Sequence, residues 1–219
     1  MLQHEIMLLA LRDKQGTFQG GRYASALVGA LLAQLVLLDR IGIIKDKCQM
    51  VFLIDRKPTG DEVLDELLEK IASSKKQLRL EHWVGQGIAI KQLAQRIAAQ
   101  LCDLKILRNE ERRLLWVFVR QLYPEINSKY ERRIKIRMSK LMFGQTTRHD
   151  LRTTVLVALA NHTGLLASNF GKDRLQRNKQ RIRKISRGDM FAARATKNAA
   201  AAMNSAILIA AIMPAVASQ

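Results

Sequence analysis

Arg174, Arg177, Arg181 and Lys184 stand at 3-4-3 spacing. In one continuous helix that spacing gathers four cations on a single face, with Leu175, Ile182 and Ile185 on the buried side. A second basic run, Lys129 to Lys140, carries Arg132, Arg133, Lys135 and Arg137. The two runs concentrate a lopsided charge. Residues 1 to 110 hold 16 basic and 13 acidic side chains, residues 111 to 219 hold 21 and 6, and the formal net charge is +18. A field of that sign attracts polyanions and raises encounter rates with nucleic acid or an anionic bilayer, where each Lys or Arg near the surface contributes about 1 kcal/mol. The plainer reading is a solvated basic surface with no partner.

Other chemistry finds less material. His4, His82, His149 and His162 are scattered without an H-x-x-x-H pair, and no carboxylate pair sits in a pocket-forming context. Cys48 and Cys102 lie in apolar segments without metal-ligand spacing, as expected of reduced core thiols in a cytosolic protein with no disulfide. Gln19-Gly20-Gly21-Arg22 offers backbone NH groups and a guanidinium to a single phosphate. There is no G-x-x-x-x-G-K-[ST] loop and no G-x-G-x-x-G fingerprint. The expectation is therefore a protein with no catalytic residues, no metal ligands and no cofactor.

The elements that must position these groups show themselves first between Ile54 and Ile71. Pro58 and Gly60 stop the extended segment Met50 to Ile54, Thr59 or Asp61 caps the next helix, and Leu64, Leu67, Leu68 and Ile71 form its buried stripe. The pattern recurs 66 residues later, with Leu27 matching Leu93, Ala33-Gln34-Leu35 matching Ala99-Gln100-Leu101, Leu38 matching Leu104, Val51-Phe52 matching Val117-Phe118 and Pro58 matching Pro124. Each copy predicts helix, hairpin, helix: Leu27 to Leu38, strands near Gly42 to Lys45 and Gln49 to Ile54, then Asp61 to Ile71. In the second copy these are Ile88 to Leu104, strands near Lys105 to Leu107 and Leu114 to Leu122, then Ser128 to Lys140. In that last strand Leu114, Trp116, Phe118 and Leu122 alternate with Leu115, Val117 and Val119, so both faces are apolar. One face suits the domain. The other suits a second copy of the chain, a bilayer interface, or burial within its own domain.

With 48% hydrophobic residues, three prolines and no Gly-rich or Ser-rich linker, the fold class expected is mainly α: one compact helical domain over residues 1–219 with short β-hairpins. Its parts are two winged-helix-like units at about 24–71 and 88–140, and C-terminal helices over 150–217. The apolar start Ile6 to Leu11 is too short for a signal peptide and lacks a basic leader. Ala199 to Ala217, Ala-rich and interrupted by Asn204, Ser205 and Pro214, reads as a packed helix and not a membrane span.

Several segments resemble, in order and spacing, the Golgi phosphoprotein 3 family: MLLALRDKQGTF, ALLAQLVLLDRI, PTGDEVLDELLEKI, QRIAAQLCDLKIL with its hairpin, and LVALANHTGLL followed by RIRKI. PTGD followed by L-D-E is the sharpest match, and the shortness of the start suggests a bacterial or otherwise diverged member. The resemblance implies a cytosolic, mostly helical peripheral membrane protein that recognises phosphatidylinositol 4-phosphate and helps retain glycosylation enzymes. Members that bind the phosphoinositide carry a Phe-Trp pair, here Phe18-Gln19, and an Arg in S-G-L-R-G, here Val28. Their basic helix L-R-N-V-R-E-R-L becomes Ile90 to Ile97, which keeps Lys91 and Arg96 and places Ala94 at the middle basic position. The lipid-binding residues implied are Phe18, Gln19, Arg22, Lys91 and Arg96, for that lipid or another anionic headgroup. The resemblance also implies a hairpin that inserts apolar residues and supports self-association, here Leu114, Trp116 and Phe118.

The partners expected are anionic membrane lipids, the tails of membrane enzymes, and a second copy of the chain through the hairpin. Nucleic acid ranks below them. It is favoured by the winged-helix-like units and the charge, with Ser128 to Lys140 suitably basic, and disfavoured by the acidic helix Asp61 to Ile71.

Overall fold

The computed structural model describes residues 1–11, 16–18, 23–44, 47–114, 118–144, 150–189 and 197–216, with backbone alone at 113, 114, 118–120, 197–199 and 214–216. At its centre runs α2, Tyr23–Leu37, apolar on every side and buried from Ser25 to Val36. A helix without a polar face must be enclosed by others. Those are α1 (Leu2–Ala10), α4 (Leu80–Ile88), α7 (Leu151–His162) and α11 (Lys197–Val216), all packed on α2. Leu27, Leu31, Leu32 and Leu35 are completely buried there, and each contributes about 1.5–3 kcal/mol relative to exposure. Gln34, buried in this apolar setting, accepts the Leu2 backbone NH at 2.9 Å and so satisfies the free end of α1.

The first copy keeps the expected order of helix, hairpin and helix, with its first strand at Ile41–Ile43 instead of Gly42 to Lys45, of which Lys45 lies outside the described residues. After α2 come β1 (Ile41–Ile43) and β2 (Met50–Leu53), paired antiparallel with Ile41 opposite Leu53, and then α3 (Glu62–Ala72). Asp61 caps α3 by accepting from Val63 N at 3.1 Å and Leu64 N at 2.9 Å. Its other oxygen takes Gln3 Nε2 at 3.1 Å. The strand β3 (Leu78–Arg79) adds to β2, giving a three-stranded sheet in the order β1-β2-β3.

The second repeat keeps the order of elements and shifts their bounds. The helix expected from Ile88 to Leu104 is two helices, α4 and α5 (Leu93–Asp103), separated by a turn in which Gln92 has φ 52°. The hairpin is β4 (Glu110–Leu114) with β5 (Phe118–Leu122), so Glu110 and Glu111, which the sequence leaves between the two expected strands, belong to a strand. Leu114 pairs with Phe118 across the two strands, which rules out one continuous strand from Leu114 to Leu122. Lys105 to Leu107 contributes only a bridge, Leu107 to Glu125. Then comes α6, Lys129–Phe143.

The basic run near the C-terminus breaks at Asn178 into α9 (Lys172–Arg177) and α10 (Lys179–Ser186), after α8 (Leu165–Phe170). Asn178, with φ −110° and ψ 15°, leaves helical geometry, so the 3-4-3 face is not continuous. Ile182 and Ile185 are buried as expected, and Leu175 half-buried. Cys102 is half-buried, Cys48 is exposed instead of in the core, and neither forms a disulfide. The mainly α class with short hairpins holds, with eleven helices and two small antiparallel sheets among the described residues. Among those residues no helix is long and apolar enough to cross a membrane; α11 buries Met203, Ala206, Ile209, Ala210 and Met213.

Candidate functional site

Phe18 stacks on Tyr23 at the start of α2, with ring centroids 4.3 Å apart and planes within 10°, and lies 6.4 Å from Tyr123. Tyr123 sits directly after β5. Its backbone NH donates to Gly16 O at 2.9 Å, and a Cβ on Gly16 would lie 2.3 Å from Pro124 N, so only glycine admits this approach. The Phe18 segment is thereby fastened to the base of the second hairpin. Burial pushes the Tyr123 phenol pKa up, and its hydroxyl donates to Gln121 Oε1 at 2.7 Å. Gln19, Arg22 and Trp116 lie outside the described residues, as do the side chains of Leu114 and Phe118.

Lys91 is exposed in the turn between α4 and α5 and has no ion pair among the described residues. Arg96, one turn into α5, is bound to α3. Its Nε lies 3.2 Å from Glu62 Oε1, and its Nη1 donates to Glu66 Oε2. The bond from Arg96 holds the Glu66 carboxyl below its ordinary pKa, and the same bond raises the guanidinium's. Val28 and Ala94 are both buried. Val28 fills the space above Gly87 of α4, where an added Cβ would come within 2.5 Å of its Cγ1. Among the described residues no ring contact, hydrogen bond or ion pair links Phe18 to Lys91 or Arg96.

The two basic segments do meet. Arg181 of α10 donates its Nε to Leu141 O of α6 at 3.0 Å, and Arg174 of α9 lies 4.0 Å over the Phe143 ring. Phe143 in turn meets Phe170 edge-on at 6.0 Å. These cations fasten α9 and α10 to the end of α6. Arg137 is likewise committed, its Nη2 2.8 Å from Glu5 Oε2.

What α6 leaves outward is the part that the spacing of the basic residues did not isolate. It buries Ile134, Met138, Leu141 and Met142 against the core, and at 100° per residue the opposite face carries Lys129, Arg133, Ile136 and Lys140. Ile136 is 49% exposed, and Ile126 and Tyr130 nearby are 57% and 44% exposed. Lys129, Arg133 and Lys140 make no ion pair among the described residues. A wheel drawn over Lys129 to Lys140 would have shown this face; the count of basic residues alone hid it. The chain reaches α6 from the hairpin base, where Ile126 N donates to Ile106 O at 2.9 Å.

Two comparisons with known proteins bear on this arrangement. The model of the family described as Golgi phosphoprotein 3 (GPP34) matches residues 2–203. The chain is also similar to vacuolar protein sorting-associated protein 74 of Schizosaccharomyces pombe, 28% identical over 170 residues, which is 68% of this chain and 50% of that protein. The chain thus spans about half the length of that relative.

Proposed function

The chain belongs to the Golgi phosphoprotein 3 family, and from that premise we propose that it is a non-catalytic peripheral membrane protein that docks on anionic lipid headgroups from the cytoplasmic side. The observation that carries this reading is the outward face of α6, where Lys129, Arg133 and Lys140 surround the exposed Ile136 and no carboxylate among the described residues answers them. Cations attract the surface, and an apolar side chain among them enters the interface; neither contribution alone holds a protein there. The hairpin β4–β5, rooted beside Phe18, supplies a second apolar contact or a contact with another copy of the chain. Lys91 contributes a further free cation, and Arg96 holds the α5 backbone that presents it. With Val28 and Ala94 buried, a headgroup other than phosphatidylinositol 4-phosphate fits as well as that lipid. An adaptor role toward membrane-enzyme tails rests on the family and on the relative's name, which places that protein in vacuolar sorting.

The test is flotation with phosphatidylcholine vesicles carrying phosphatidylserine or phosphatidylinositol 4-phosphate, beside a gel shift with duplex DNA, both over a salt series. Removing two charges with Arg133→Gln and Lys140→Gln should weaken vesicle binding about 30-fold at about 1 kcal/mol each. Steeply salt-dependent DNA retention without flotation would establish nucleic acid as the partner instead.

A further inference from the structure

A cavity of about 640 Å³ opens between the end of α7, α8, α9 and α10, within the size range of small-molecule sites. Four cations line it, Lys172, Lys179, Arg183 and Arg187, and no carboxylate does among the described residues. None of the four has an ion-pair partner among those residues. On α10 and its C-cap the lining positions Lys179, Arg183, Ser186 and Arg187 recur at helical spacing. The cations that point elsewhere, Arg174 and Arg181, are the ones used in packing. Leu175 and Ile182 give the cavity an apolar wall. Ser186 is independent of the charge. It is 4% exposed, lines the cavity, and its Oγ has no hydrogen-bond partner among the described residues. A buried hydroxyl without a partner is costly in a folded protein, and at the wall of a ligand space a χ1 rotation brings it to the ligand.

We propose that this cavity is a binding site for a small organic phosphate, separate from the Lys91 region and from the outward face of α6. Guanidinium groups match the geometry of phosphate oxygens in pairs, ammonium groups add point charge, and the Ser186 hydroxyl donates to a remaining oxygen. The volume exceeds that of a lone phosphate, and the apolar wall suits the carbon part of the molecule. The same chemistry arises from a lipid headgroup and from a soluble phosphate ester.

The experiment is calorimetric titration of the full chain with inorganic pyrophosphate, paired with flotation on phosphatidylcholine vesicles containing phosphatidic acid. Saturable pyrophosphate binding is expected, weakened at least tenfold by Lys179→Gln with Arg183→Gln, two exposed positions outside the core. Ser186→Ala should weaken it as well. Arg133→Gln with Lys140→Gln, equal in charge but on the outward face of α6, should leave it within about twofold. No saturable binding by the parent chain, no loss in the α10 pair, or an equal loss in the α6 pair overturns the proposal. If the α10 pair also lowers flotation and pyrophosphate competes with the vesicles, the ligand is a headgroup; if flotation is unchanged, it is a soluble ester. The α6 pair tests membrane docking separately, so either reading can fail alone.

Discussion

Arg137 Nη2 lies 2.8 Å from Glu5 Oε2, a contact that ties α6 to the first helix across 132 positions of sequence. Arg152 of α7 holds the other oxygen at 3.1 Å. The Glu5 side chain is only 13% exposed, so one carboxylate anchors two guanidiniums where α1, α6 and α7 meet. Glu5→Gln leaves two partly buried cations facing each other and should lower stability by about 1.5–3 kcal/mol. Urea unfolding would show it as a lower midpoint at constant slope. A change below about 0.5 kcal/mol would mean the contact is ornamental.

The seam between α2 and α4 admits no added atom. Because a Cβ on Gly87 would stand 2.5 Å from Val28 Cγ1, Gly87→Ala should cost about 1–3 kcal/mol through overpacking. Trimming the opposing side chain as well, with Val28→Ala, should recover part of that loss. If the two changes merely add in thermal unfolding, the seam has room to spare.

Acid should weaken the fold through two histidines. Burial holds both His4 and His162 below the ordinary imidazole pKa, even though His4 also bonds Gln100 Oε1 at 2.8 Å. Between the folded value and the unfolded value of about 6.5, the unfolded chain binds more protons, so stability rises with pH. That contribution is whole above pH about 6.5 and is lost as pH falls through the folded values. The urea midpoint should therefore be lower at pH about 5.5 than at about 7.5, and His4→Gln with His162→Gln should flatten the difference. An equal pH dependence in the double variant would assign it to other groups.

Lys91 and Arg96, alike in charge, should separate in their effects. Lys91→Gln removes a free cation and should reduce binding to anionic vesicles severalfold with no change in melting. Arg96→Gln breaks the ties to Glu62 and Glu66 and should lower stability by up to about 1 kcal/mol, since the cluster is partly open to water. Equal flotation losses with unchanged melting for both would place Arg96 at the lipid instead.

Local signals carried the first half of the chain well. The Pro58–Gly60 stop, the Asp61 cap and the leucine stripe of α3 act within a few residues of one another, and the observed helix begins where they put it. The core position of α11 was equally legible from its alanines. The second repeat was harder to read because its boundaries depend on distant contacts: the turn before α5 forms where Gly87 packs on Val28, and the hairpin register is set by a base that closes onto Gly16 and Leu107. The break at Asn178 escaped notice for a related reason. Helical spacing counts positions on one axis, and Asn178 begins a second axis. Of the residues implied for lipid contact, spacing could show that Arg96 is basic but not that α3 carries its partners.

Acidic side chains gather on α3, where Glu66 and Glu69 answer Arg96, Lys70 and Arg56, while Lys129, Arg133 and Lys140 of α6 and Lys179 and Arg183 of α10 have no ion-pair partner among the described residues, so charge is spread unevenly over the elements of the fold. Near a negative sheet of charge such a body feels a torque before it touches anything. Screening confines that torque to roughly 8 Å at physiological salt. Under the proposed docking on lipid, that torque would bring the outward face of α6 forward within this layer, and collisions would be sorted by orientation before any individual contact forms.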